Sequence, residues 1–195
     1  MSERARDKAE RFLQHLEPLQ GRLTAFCRRS LQNQNDMADT LQSALVTAYR
    51  DFDLYVEGTN FRAWMFRIVS YEVLNRNRAA SRHREVELPK SVSDPRRGEE
   101  SIAADSLADR LLDAPEIVLD ACEEGLAGAL LALPDLERNI FLLRAVGEFK
   151  YREIAEILEV PIGTVMGLLA RSRDRLRKDL AEYAKTQNLL PGNGS

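Results

Sequence analysis

Between Arg62 and Arg84 the chain carries six arginines, at positions 62, 67, 76, 78, 82 and 84, and a single acid, Glu72. Aromatic residues are threaded among them: Phe61, Trp64, Phe66 and Tyr71 within or beside the run, Phe52 and Tyr55 just ahead of it. Cations seek phosphates, and aromatic faces stack on unpaired bases at about 1–3 kcal/mol each, so this mixture suits a single-stranded nucleic acid. A second basic block, Gly163 to Lys178, holds five bases against Asp174 alone. Between the two, residues 85–124 hold twelve acids against four bases. The net charge of −3 conceals this basic, acidic, basic order. Any one block is compatible with an ordinary solvated face, but two basic blocks, each joined to a helix, point to a polyanionic partner.

Catalysis has little to stand on. His15 and His83 are the two histidines, neither near a nucleophile motif, and no Gly-rich phosphate loop, H-E-x-x-H or G-x-S-x-G occurs. Cys27 and Cys122 have neither metal-ligand nor disulfide-framework spacing, which leaves them as small buried hydrophobes in a reducing compartment. No enzyme activity, metal or cofactor is expected. No apolar run approaches the roughly 18 residues that would span a bilayer, and "MSERARDKAERFLQHL" has no apolar export core. A cytoplasmic protein without membrane insertion is expected.

The elements that must position these residues read as helices throughout, with no alternating β-branched run. Arg6 to Arg28 carries Phe12, Leu16, Leu23 and Phe26 at helical spacing, with a kink or break signalled by Pro18 and Gly21. Asp36 to Phe52 carries a clear stripe of Met37, Leu41, Ala44 and Ala48. "DLYVEGTN" is a loop whose Thr59 or Asn60 caps a helix from Phe61 to Arg78. Two small helical domains are predicted, residues 5–84 and 116–185. Residues 85–115, acidic and proline-punctuated, form a flexible linker between them with at most a short helix near Ser106 to Leu112, and 186–195 a disordered tail.

"EIAEILEVPIGTVMGLLARSRDRLR" reads as two helices broken at Pro161, whose missing N–H and steric demand on Val160 stop the first. Small Ala155 lets the pair approach, and Ile154, Leu158, Val160 and Val165 fill the corner, a helix-turn-helix arrangement that presents its second helix to a major groove. A plain helical hairpin with cations at its negative end would share these features. Within the wider stretch Leu133, Pro134, Arg138, Tyr151, Glu153, Ile154, Ala155, Pro161, Gly163, Thr164, Val165, Arg171 and Arg173 follow an L-P-x-x-x-R, Y-x-E-I-A, P-x-G-T-V order. This resembles region 4 of the extracytoplasmic-function (ECF) sigma factors of bacterial RNA polymerase. Upstream, "DMADTLQSALVTAYRDFDLYVEGTNFRAWMFRIVSYEVLNRNR" resembles their region 2.

The resemblance implies a promoter-specificity subunit. Asp36, Asp39 and Gln42 would dock on the β′ coiled coil of core polymerase, and the second domain on the β flap. Tyr55, Asn60, Arg62, Arg67, Tyr71, Arg76 and Arg78 would take the −10 element, with an extruded base held by the "DLYVEGTN" loop, while Thr164, Gly167, Arg171, Arg173 and Lys178 would read the −35 element. Phe61, Trp64 and Ile68 suit a core better than a base platform. An anti-sigma protein or a kinase is the expected regulator.

Three departures from the family pattern stand out. Ala38 and Ser43 replace two usual glutamates, and a phosphate on Thr40 or Ser43 would restore about −1.5 to −2 charges to the docking face. Tyr71 stands where many relatives have Asn. Met166, Gly167 and Leu168 stand exposed where relatives carry cations and Ser, which predicts altered or weaker −35 recognition. A sigma-like decoy that titrates an anti-sigma protein without binding DNA is the alternative; the arginines at 62, 67, 76 and 78 count against it. A simple helix-turn-helix repressor would leave the first domain's motif without a purpose.

Overall fold

The computed structural model describes residues 3–85 and 124–186, and every regular element among them is a helix. In chain order these are α1 (Glu3–Leu16), α2 (Gln20–Ser30), α3 (Met37–Asp51), α4 (Phe61–Glu85), α5 (Glu124–Ala132), α6 (Asp135–Ala145), α7 (Tyr151–Leu158) and α8 (Ile162–Thr186), with single 3₁₀ turns before α2 and α3 and after α3. The expected all-helical fold class is observed. Of the expected linker at 85–115 and tail at 186–195, Glu85 ends α4 and Thr186 ends α8; the rest of both, the short helix expected near Ser106 to Leu112, and Cys122 lie outside the described residues.

Local chemistry sets the breaks. Pro18 sits in the 3₁₀ turn that separates α1 from α2. Asn60, not Thr59, caps α4: its Oδ1 accepts the Ala63 N–H at 3.0 Å. The α6 helix stops at Val146 and Gly147, where an added Cβ would lie 2.6 Å from the Leu143 carbonyl oxygen and from the Phe149 ring; a side chain does not fit there. After α7, Glu159 takes a left-handed conformation at φ 55°, and the Val160 N–H returns to the Ala155 carbonyl at 3.0 Å, closing the helix end. Pro161 then follows, its carbonyl accepting the Thr164 N–H at 2.9 Å at the start of α8.

Helices α2, α3 and α4 pack on one another as the first bundle, and α5, α6 and α7 surround α8 as the second. In the first, Leu23, Phe26, Ala44, Ala48, Phe66 and Val69 are almost wholly buried; in the second, Ile140, Phe141, Ile154, Val165, Leu169 and Leu176 are. Cys27 is buried too, and desolvation pushes its thiol up to about 11, so at neutral pH it stays protonated and behaves as a small hydrophobe.

The two bundles do not stand apart. Helix α2 packs on α5 and α6, and α4 packs on α6 and α7, so one hydrophobic core runs through both. A polar network crosses the same boundary. Arg138 on α6 is 1% exposed; its Nε donates to the Ser30 carbonyl at 3.0 Å, its Nη1 to the Leu131 and Leu133 carbonyls at 3.0 Å each, and its Nη2 to Asp135. Asn77 on α4 donates to the Ser30 carbonyl at 2.9 Å and to Asp135 at 3.1 Å, and Gln32 donates to Asp135 at 3.1 Å. The L-P-x-x-x-R segment thus has a physical reason. Its arginine satisfies carbonyls left open where α5 ends and reaches the other bundle as well.

Candidate polymerase and promoter interfaces

Helix α3 buries Thr40, Ala44 and Ala48 on one side and turns Asp39, Gln42, Ser43 and Val46 outward, with Asp36 half-buried at its start. The residues assigned to polymerase docking therefore share an open face. The two hydroxyls considered for phosphorylation do not. Thr40 is 1% exposed with Oγ1 enclosed, whereas Ser43 is exposed, because Thr40 lies on the stripe that faces the core. Of the two, Ser43 is the accessible hydroxyl.

The loop ahead of α4 is held by helix α1. Lys8 Nζ donates to Asp53 at 2.6 Å and to the Arg50 carbonyl at 3.3 Å, and Arg11 pairs with Glu57. Tyr55 is not an open stacking platform. It is 9% exposed, its ring lies parallel to that of Phe52 at 5.8 Å and edge-on to Phe61 at 5.2 Å, and its hydroxyl donates to the Thr59 carbonyl at 2.8 Å. The rings of His15, Phe52, Phe61 and Trp64 around it make burial the favourable solution. Phe61 is buried and Trp64 and Ile68 half-buried against the core, as their spacing predicts. The hydrophobic groups left outside on this loop are Leu54 and Val56, 77% and 67% exposed.

Along α4, Arg67, Tyr71 and Arg78 stand at i, i+4 and i+11 and so share one face, all exposed; Arg62 and Arg76 are half-buried and lie on other sides of the helix. Four of the seven residues assigned to the −10 element touch the second bundle. Asn60 Nδ2 donates to Glu153 Oε1 at 3.2 Å, Arg67 pairs with Glu159, and the Tyr71 hydroxyl donates to Glu159 Oε2 at 3.0 Å. The Arg62 guanidinium lies over the Phe149 ring, 4.5 Å from its centroid. These second-bundle partners had no signal in the sequence. Glu153 is a position of the Y-x-E-I-A order and also accepts the Lys150 N–H at 2.8 Å at the start of α7, whereas Glu159 belongs to none of the motif positions.

On α8, Val165, Leu169, Ser172 and Leu176 face the core. Thr164, Gly167, Arg171 and Lys178, at spacings of three, four and seven, share the opposite side, and Arg171 and Lys178 are exposed. Arg173 is half-buried; two residues beyond Arg171, it emerges about 160° away around the helix. It does not share the edge that Arg171 presents. The expected exposed run of three also changes: Met166 is 54% exposed, but Leu168 is half-buried against the core. Gly167 meets nothing within 4 Å if a Cβ is added. Gly167→Ala is therefore expected to raise stability by about 1 kcal/mol, read by thermal or urea unfolding. A fall in stability would contradict the open surroundings of this position.

Comparison with known proteins fits both halves of this geometry. Residues 16–83 match the sigma-70 region 2 family model and residues 124–176 match sigma-70 region 4. The chain is 30% identical over 158 residues to the ECF RNA polymerase sigma factor SigW of Bacillus subtilis, covering 80% of this chain and 81% of that protein.

The chain belongs to the ECF sigma factors.

It is also 27% identical over 143 residues to the ECF RNA polymerase sigma-E factor of Escherichia coli K12, covering 72% of each. Among solved structures, the sigma factor RpoE in complex with the anti-sigma factor NepR, from Bartonella quintana, shares the fold with a TM-score of 0.66 over 88% of this chain and 98% of that one, at 23% identity. CnrH, in complex with the cytosolic domain of CnrY, shares it with a TM-score of 0.60 over 91% of this chain and 95% of that one, at 21% identity. Helix α1 begins ahead of the matched region 2 segment, so the Lys8 and Arg11 contacts to the loop lie outside the part this sigma factor shares with the family model. Among the described residues of this sigma factor, no helix is long and apolar enough to cross a membrane. The decoy reading is not favoured by these matches.

Proposed function

We propose that this ECF sigma factor, which directs RNA polymerase to promoters, divides its work among three surfaces. The outward side of α3, with Asp36, Asp39 and Gln42, docks on the β′ coiled coil of core polymerase. Asn60 at the head of α4 and Arg67, Tyr71 and Arg78 on its exposed face take the separated −10 strand, with Arg62 and Arg76, half-buried on other sides of the helix, flanking it. The Thr164, Gly167, Arg171 and Lys178 side of α8 enters the −35 major groove, and the second domain as a whole engages the β flap. The protein performs no catalysis of its own, works in the cytoplasm at the nucleoid, and has an anti-sigma protein as its natural regulator. The domains are residues 5–84 and 116–185, joined by the acidic segment 85–115.

The observation that carries this reading is the separation of signs. Asp39 stands exposed on the outward side of α3 with Asp36 half-buried at its start, whereas the next helix turns Arg67 and Arg78 outward, so docking and strand capture are assigned to different helices of one bundle. Asp36→Ala with Asp39→Ala is expected to lower core-polymerase affinity at least tenfold, about 1.4 kcal/mol, with binding to a single-stranded −10 oligonucleotide unchanged. Arg76→Ala with Arg78→Ala is expected to do the reverse, leaving core affinity intact and lowering open-complex formation. Equal impairment of one step by both pairs would remove the division.

Exposed Ser43, itself at a position where relatives carry a glutamate, favours phosphate-strengthened docking. Ser43→Glu is expected to tighten core binding and Thr40→Glu to unfold α3 from its neighbours. Tighter docking from the Thr40 variant with helicity intact would reverse that assignment.

A further inference from the structure

Four side chains of α1 stand at i, i+3, i+4 and i+7 and so share one face: Lys8, Arg11, Phe12 and His15. All four meet the segment that joins α3 to α4. Lys8 Nζ donates to Asp53 at 2.6 Å and to the Arg50 carbonyl at 3.3 Å, where α3 gives way to the loop. Arg11 Nε donates to Glu57 at 3.1 Å, and its guanidinium lies over the Phe52 ring, 5.8 Å from the centroid. Phe12 meets Phe52 and Phe61 edge-on, while His15 stacks on Phe61 at 4.9 Å and stands edge-on to Tyr55 at 5.8 Å. One stripe of α1 thus touches the loop at its start, its middle and its end.

We infer that Lys8 and Arg11 are positioning residues for this loop: they fix its path from Asp53 to Asn60, and with it the selectivity for an extruded −10 base. The inference rests on the proposed −10 role of Asn60 and of the loop ahead of it. Glu57 sits at the corner of a turn. The Thr59 N–H closes on the Val56 carbonyl at 3.2 Å, and Gly58 takes φ 84°, a left-handed value that glycine adopts without strain. Asn60 caps α4 directly afterwards, so the carboxylate that Arg11 holds lies three residues from the cap. The loop's own backbone bonds run from Tyr55 to Phe52, from Thr59 to Val56 and from Phe61 to Thr59. Bonds this local shape a turn but do not set where it lies on the bundle. Buried Phe52 and Tyr55 and the two α1 cations do that. With Asp53, Tyr55 and Glu57 each held, Leu54 and Val56 are the hydrophobic side chains that the loop leaves exposed. The two pairs are open on the loop side, with Asp53 and Glu57 at 76% and 60%, and such pairs add little to stability. Alternative conformers of an exposed loop differ by small free energies, so weak pairs suffice to choose among them. A loop held in one arrangement binds without the cost of ordering it, and discriminates between bases where a shifting loop accommodates several. The pairs also neutralise two carboxylates beside a surface assigned to phosphates.

Discrimination is read with holoenzyme assembled from core RNA polymerase and the full chain. Its affinity for labelled oligo(dT) of about 12 nucleotides is compared with that for the same strand carrying one central dA, dC or dG. The parent is expected to favour one base, and Lys8→Ala with Arg11→Ala to narrow the ratio of tightest to weakest binding at least about threefold. Core affinity and the unfolding midpoint are expected to stay as in the parent. Glu57→Gln, made on the exposed loop, is expected to narrow the ratio too. Arg11→Glu with Glu57→Arg, which restores the pair with its ends exchanged, is expected to recover most of it. If Glu57→Gln instead tightens every strand alike with the ratio unchanged, Arg11 is a phosphate contact and the inference is overturned. An unchanged ratio in the Lys8 and Arg11 double variant overturns it as well, the buried rings then sufficing to place the loop. So does an exchange that recovers nothing, or a ratio that narrows only in variants whose unfolding midpoint falls. A parent without base preference also overturns it. In that case Arg67→Ala separates the two readings: weaker strand binding leaves the −10 face standing and removes only the role of the loop, whereas unchanged binding removes the −10 assignment itself.

Discussion

Arg138→Ala is expected to lower the free energy of unfolding by about 3–5 kcal/mol, among the largest effects of any single change in this protein. Arg138 is 1% exposed and donates to three backbone carbonyls, of Ser30, Leu131 and Leu133, as well as to Asp135. Removing it takes the side-chain donor from the Leu131 and Leu133 carbonyls, leaves the Ser30 carbonyl to Asn77 alone, and deprives the Asp135 carboxylate, which also accepts from Asn77 and Gln32, of its cation. Burial pulls the Arg138 pKa below the usual guanidinium range, while Asp135 pulls it up by charge and hydrogen bonding. Lysine is expected to rescue little, since a point ammonium cannot span four acceptors that a planar fork reaches at once. Urea unfolding followed by circular dichroism and by the single tryptophan, Trp64, reads the loss in both bundles. A loss under about 1 kcal/mol would mean that the network contributes geometry rather than stability. Separate transitions for the two bundles in the variant, against one in the parent, would show that Arg138 couples them.

Arg171→Ala is expected to weaken binding to a −35 duplex by about 1–3 kcal/mol and to relax specificity at one base pair. Arg171 is exposed on the side of α8 shared by Thr164 and Gly167, in the first half of the helix, where a recognition helix meets base edges. Lys178, two turns further on, is placed for phosphate. Lys178→Ala is expected to act alike on every sequence and to lower the salt dependence by about one counterion. Arg173→Ala is expected to fall outside both patterns, because that side chain is half-buried and emerges on the other side of the helix. Titrations against specific and scrambled duplexes at several salt concentrations separate the three. Equal, sequence-blind losses for Arg171 and Lys178 would reassign Arg171 to the phosphate backbone.

The sequence by itself determined the helices and their breaks. Pro18 and Pro161 interrupt runs whose apolar spacing is otherwise helical, and the stripe Met37, Leu41, Ala44 and Ala48 fixes which side of α3 is buried and hence which side shows Asp39 and Gln42. These are local matters, set by residues three or four positions apart, and periodicity reads them directly. The paired motifs carried the family for the same reason: each is a run of neighbours along the chain. The same rule, applied to Thr40, places it on the buried stripe, a consequence that its hydroxyl chemistry concealed.

Tertiary structure decided the rest. Tyr55 carries a ring suited to stacking and a hydroxyl suited to hydrogen bonding, and only the crowd of Phe52, Phe61 and Trp64 around it turned both inward. Leu168 is half-buried against the core rather than exposed, and it stands three residues from buried Val165 and four from buried Ser172. The meeting of Arg67 with Glu159 joins residues ninety-two positions apart, and Arg138 crosses one hundred and eight to reach Ser30. A sequence states how many charges of each sign a helix presents. Which of them meet is settled by how two bundles pack, through desolvation and distance that depend on every residue of the interface at once.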